Sequence, residues 1–190
     1  MKYDVILAGV GGQGVLSVSA IIASSAMQEG LHVKQSEVHG MSQRGGAVYT
    51  NLRLSDTDIY SDLIPHGSAS MILSMEPLES LRYLDYLEKD GHLITSSNPE
   101  INIDDYPGLD ELLDKIRTFP HTTIVDAHKL ATQAGSGRAT NMVLAGAASR
   151  YLPLKMENMQ QCIRNLFARK GEKVVDTNLK AFRLGREEGQ

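Results

Sequence analysis

A seven-residue turn, Ala8 to Gly14 ("AGVGGQG"), separates the apolar run "YDVIL" from the stretch "VLSVSAIIASSAMQ". An apolar run closed by glycine reads as a buried strand, here residues 2–8. Val15, Val18, Ile22 and Ala26 then recur at helical spacing, so residues 13–28 read as a helix stopped by Gly30. Strand, glycine turn and helix in that order leave the helix's first N–H groups without intrahelical partners, at an end carrying about half a positive charge. Glycines there let the chain reverse sharply and let an anion approach the backbone without meeting a Cβ. Two readings stay open: contact with an anion or ligand, or a tight turn that only permits close helix–sheet packing.

The next segments narrow the choice. Residues 31–36 read as a strand, and after a polar loop residues 47–54 read as another, rich in β-branched and aromatic side chains. No helical pattern separates these two strands, which favours an antiparallel pair and a mixed sheet. Gly9, Gly11 and Gly14 satisfy G-x-G-x-x-G, but a dinucleotide site expects an acidic residue about 20 residues on. That stretch reads His32-Val33-Lys34-Gln35-Ser36, and Glu37 comes late. A stand-alone NAD- or FAD-binding oxidoreductase is therefore the runner-up.

Further on, residues 69–75 read as a buried strand. Pro77 opens a helix with Leu78, Leu81, Leu84 and Leu87 on one face. A strand at 92–96, the polar connection "SNPEINIDDYPG", a helix at 109–117 and a strand at 122–127 follow. The rest reads as helices at 140–151, 155–169 and 177–188, with Asn141 and Asn178 expected chiefly as helix caps. The alternation describes one α/β domain over residues 1–190. A chain of 190 residues buries roughly 70% of its unfolded surface, enough for a sizeable core.

Composition removes several classes of function. A net charge of −4 gives no sign of nonspecific nucleic-acid binding. No apolar run approaches the ~20 residues of a membrane span, and the start reads as a strand with no signal peptide, so a cytoplasmic location is expected. Cys162 is the only cysteine, which rules out an internal disulfide and a cluster ligated by cysteines of this chain alone. It reads as a small apolar residue on a helix. His32, His39, His66, His92, His121 and His128 show no zinc-type spacing, so no metal site is expected.

The loop "SEVHGMSQRGG" gathers Glu37, His39, Ser42, Gln43 and Arg44 beside Gly45 and Gly46. Open α/β sheets place ligands at such strand ends, and Arg44 offers a planar donor fork to carboxylate or phosphate. A solvated turn is the plainer alternative. A histidine is able to change charge near neutral pH, but His39 has no evident nucleophile or metal partner, so a structural hydrogen bond is expected ahead of proton transfer.

"GVGGQGV", "SEVHGMSQRGGAVYTNLRL", "TNMVLAGAASRYL" and "NLKAFRLG", in that order, resemble the gamma-type subunit of 2-oxoacid:ferredoxin oxidoreductases. The H-G-M-x-Q-R-G-G form is most similar to the beta subunit of indolepyruvate ferredoxin oxidoreductase. The resemblance runs from Tyr3 to about Gly185 and is weaker between Asp56 and Gly137. It implies a three-layer α/β/α fold with a mixed, mostly parallel sheet and a Rossmann-like first βαβ unit. It also implies a share in converting a 2-oxoacid, CoA and oxidised ferredoxin to acyl-CoA, CO₂ and reduced ferredoxin. Thiamine diphosphate and iron–sulfur clusters would lie on a larger partner subunit, CoA would be a co-substrate, and the whole could form a dimer of heterodimers. Carried onto matching positions, Gly9, Gly11, Gly12, Gln13 and Gly14 form one cofactor-facing loop. Ser42, Gln43, Arg44, Gly45 and Gly46 form the second, with an electrostatic or proton role for Arg44 and His39. No residue reads as a covalent catalyst. A noncatalytic assembly subunit is a further alternative.

Overall fold

The computed structural model describes residues 1–39 and 45–188. Among the described residues, six strands form one sheet in the order β2-β3-β1-β4-β5-β6. They are β1 (Lys2–Val10), β2 (His32–His39), β3 (Ala47–Ser55), β4 (Ala69–Ser74), β5 (Leu87–Ser96) and β6 (Thr122–Val125). The helices are α1 (Val15–Gln28), α2 (Pro77–Arg82), α3 (Leu109–Arg117), α4 (Ala127–Ala134), α5 (Thr140–Ala148), α6 (Met156–Phe167) and α7 (Glu172–Glu188).

Strand β1 is central, and side chains alternate across it. Val5 and Leu7 join a core with α1, α4, α5, α6 and α7, while Ile6 joins a smaller core with α2 and α3. Helices on both faces make the three layers expected. β1–β4, β4–β5 and β5–β6 pair in parallel, whereas β3 is antiparallel to both β1 and β2. The first β-α-β unit keeps its chain order, and β2 runs in the same direction as β1. Their neighbourhood differs from a dinucleotide fold: the helix-free connection folds β3 back against β2 and inserts it beside β1.

Several boundaries move. The leucine-faced helix expected through Leu87 ends at Arg82, a 3₁₀ turn covers Leu84–Tyr86, and β5 starts at Leu87. Spacing by three suits a 3₁₀ turn as well as an α-helix, and the polar Lys89 and Asp90 disguise the first half of β5. An unforeseen helix, α4, follows β6. Asp126 caps it by accepting from the Lys129 N–H at 3.0 Å, and Gly135 ends it at φ 115°. Helix α7 begins at Glu172, five residues before the expected 177.

Neither asparagine is a cap. Asn141 lies inside α5, whose N-cap is Ala139, and Asn178 donates Nδ2 to the Val174 carbonyl at 2.7 Å within α7. Cys162 is buried in α6, where Gln28 Nε2 donates to its Sγ at 3.4 Å.

Candidate functional site

The carboxyl ends of β1, β4, β5 and β6 share one edge of the sheet. Helix α1 leaves β1 over one face, while α2 leaves β4 over the other. The crevice between β1 and β4 is therefore a topological switch point, where open α/β sheets hold ligands. The glycine turn sits in it. A Cβ on Gly9 would lie 2.9 Å from Gln13 Oε1 and 3.1 Å from the Met75 Cβ, so only glycine lets β1 end this close to the segment after β4. Gly12 (φ 106°) and Gly14 (φ 84°) adopt left-handed backbone. Gly14 is the N-cap of α1 and supplies no side chain, and the helix's first turn carries no acidic residue.

Gln13 faces inward: its Oε1 accepts the Val10 N–H at 2.8 Å and braces the turn. Beyond Gly12 a Cβ would meet nothing within 4 Å among the described residues, and a cavity of about 280 Å³ opens there against Val10, Leu16 and Val48.

The second loop joins the first directly. Gly11 N–H donates to the Gly46 carbonyl at 2.9 Å. Gly45 (φ 77°) offers its carbonyl to Asn102 Nδ2 at 2.7 Å. Seven of the ten positions singled out as cofactor-facing (Gly9, Gly11, Gly12, Gln13, Gly14, Gly45 and Gly46) thus meet at one edge. Ser42, Gln43 and Arg44 lie outside the described residues. His39 ends β2 opposite Val48, and its side chain is likewise outside them.

The sequence read the segment after β5 only as a polar connection, yet it closes this edge. Asn102 holds Gly45, and Tyr106 donates its hydroxyl to Glu76 Oε1. Glu76 Oε2 accepts the Glu79 N–H at 2.8 Å as the cap of α2. Burial first, then the Glu76 carboxylate, pushes the Tyr106 hydroxyl pKa up, so Tyr106 stays a donor. The "E-P-x-E" spacing at Glu76, Pro77 and Glu79 was the one signal that could have shown the cap.

Glu79 is buried. Arg82 Nε donates to its Oε1 at 2.8 Å, but its Oε2 has no hydrogen-bond partner among the described residues. Burial raises its pKa above the ordinary 4.5, outweighing Arg82. A carboxyl that holds its proton more tightly when folded lends stability below its unfolded pKa and loses it as pH rises through the folded one. Glu79→Gln is accordingly expected to flatten the fall in stability as pH rises from 4.5 towards neutrality. Urea melts of both proteins across that range check it; parallel pH profiles would refute it.

Among the described residues, no three His, Cys, Asp or Glu side chains are grouped to hold a metal ion, and no helix is long and apolar enough to cross a membrane. Residues 4–188 match the family described as pyruvate ferredoxin/flavodoxin oxidoreductase. The chain belongs to this family. It is 38% identical to the indolepyruvate oxidoreductase subunit IorB of Archaeoglobus fulgidus, over 97% of this chain and 94% of that one. Its fold matches the gamma subunit of a keto/oxoacid ferredoxin oxidoreductase from Geobacter sulfurreducens, with a TM-score of 0.74, 24% identity and 98% of each chain covered. It also matches a 2-oxoglutarate:ferredoxin oxidoreductase from Magnetococcus marinus, solved with 2-oxoglutarate, coenzyme A and succinyl-CoA bound. There the TM-score is 0.77 at 20% identity, with 99% of this chain aligned to 31% of that one. The family chain is thus one subunit of a multi-subunit 2-oxoacid:ferredoxin oxidoreductase, as the motifs implied.

Proposed function

We propose that this subunit serves an enzyme that oxidatively decarboxylates aryl 2-oxoacids such as indolepyruvate. In this reading 2-oxoacid, CoA and two oxidised ferredoxins become acyl-CoA, CO₂, two reduced ferredoxins and a proton. Thiamine diphosphate and the iron–sulfur centres belong to a larger partner chain, where they supply the carbanion and electron chemistry. This chain contributes shaped backbone: the two glycine loops face the partner's reaction centre or the CoA channel. The carrying observation is the Gly11–Gly46 hydrogen bond, which sets both loops beside the uncapped, acid-free amino end of α1. Those N–H groups, with Arg44, stabilise a CoA phosphate or a substrate carboxylate electrostatically. Identity to the Archaeoglobus subunit supports the aryl substrate. The chain has three Phe and no Trp, so selection of the aromatic side chain falls to the partner.

The test is reconstitution with the large subunit and an assay of CoA-dependent ferredoxin reduction by indolepyruvate. Arg44→Ala is expected to lower turnover about a hundredfold while the complex still co-elutes on gel filtration. Undiminished turnover would leave a purely assembling subunit in its place. The isolated chain, mixed with indolepyruvate and NAD or FAD, is expected to reduce neither.

A further inference from the structure

A second concavity lies on the other flank of the α1 amino end. It has a volume of about 480 Å³, within the range of small-ligand sites. Its wall is shared with the glycine turn: the Asn141 amide lines it and stands where a Gly14 Cβ would be, at 2.4 Å. Among the described residues, three cationic side chains, Arg138, Lys170 and Lys173, line it, and no carboxylate does. None of the three has an ion-pair partner among the described residues. In a chain of net charge −4, three unpaired cations around one acid-free hollow make a strongly local positive field.

Ser17 in the first turn of α1, Asn141 in that of α5 and Lys173 in that of α7 line the hollow, as do Gly135 and Phe167 at the carboxyl ends of α4 and α6, so helix ends of both signs meet there and the three cationic side chains set its charge. Phe167 adds a flat, half-buried apolar wall, with the Lys170 ammonium 5.4 Å from its ring centroid. Cations for phosphate beside an aromatic face for a base are the elements of nucleotide recognition.

We infer that the hollow formed by Arg138, Lys170, Lys173 and Phe167 is a binding site for a phosphorylated, nucleotide-sized ligand. The inference does not depend on what the glycine loops face. Its test is isothermal titration of the full chain with ADP, with inorganic phosphate and with adenosine. ADP is expected to bind and phosphate to compete with it, whereas adenosine alone gives no heat. The triple variant Arg138→Gln, Lys170→Gln, Lys173→Gln, checked for folding by circular dichroism, is expected to weaken ADP by about tenfold or more. Coenzyme A as competitor separates two sources of the same chemistry. Displacement of ADP makes the hollow the distal end of the co-substrate's path, and no displacement makes it a separate nucleotide site. Absence of ADP binding, or ADP binding that the folded triple variant retains in full, overturns the inference. Turnover of the Arg44→Ala complex reports on the glycine loops and not on this hollow, so the two readings fail separately.

Discussion

Replacing Gly146 with alanine is expected to destabilise the protein by about 3 kcal/mol or more, at the upper end of overpacking costs. Helices α5 and α7 touch backbone to backbone. A Cβ at 146 would stand 1.9 Å from the Phe182 carbonyl oxygen, and one at 185 would stand 1.9 Å from that of Val143. A clashing side chain can rotate away; a helix carbonyl cannot, so the axes must part. Residues Met142 to Ala148 are all buried, and that separation would open the larger core. For a domain of this size the loss corresponds to a fall in melting temperature of about 6–12 °C. Gly12→Ala is the control: among the described residues nothing stands within 4 Å of its Cβ, which leaves the left-handed strain of about 1–2 kcal/mol. Equal urea midpoints for the two variants would refute the argument.

Arg53→Ala is expected to cost about 3 kcal/mol, the usual result of leaving a buried charge without its partner. Asp4 is 1% exposed in the central strand, and Arg53 grips both its oxygens from β3 at 3.0 and 3.1 Å. The same guanidinium donates to the carbonyls of Ser61 and Leu63, which holds the 56–68 connection over the sheet. Lys2, 3.0 Å from Asp4 but half exposed, replaces only part of the lost charge. Two readouts check this. The Arg53→Ala midpoint should fall, and limited proteolysis should begin cutting between β3 and β4. Adding Asp4→Asn to Arg53→Ala should recover part of the loss, because the stranded charge is gone. A double variant no more stable than Arg53→Ala alone would mean that Arg53 acts through its carbonyl contacts.

Much of the fold could be read from local pattern. The strand–glycine–helix start, the antiparallel β2–β3 pair and the Pro77 helix start follow from periodicity and glycine or proline placement, signals spanning a few residues. Errors came where a local pattern had two solutions. Leucines spaced by three allowed both the α-helix expected and the 3₁₀ turn found, and the polar Lys89 and Asp90 kept the first half of β5 out of the strand expected to begin at 92. The two loops of the candidate site were legible from their glycines. Their closure by Asn102 and Tyr106 was not, because those partners lie 57 and 30 residues from Gly45 and Glu76.

The sequence by itself determined that this is an α/β chain with a helix amino end left open by glycine. It also determined that one cysteine cannot hold an iron–sulfur cluster, because both depend on residue identity and near-neighbour spacing. Only the tertiary structure decided that β3 inserts beside β1, which brings Gly46 to Gly11, and that Gly146 and Gly185 exist to let two helices touch. It alone gathered Arg138, Lys170 and Lys173 around one hollow. Such contacts join segments far apart in the chain, and their geometry is set by how the layers pack.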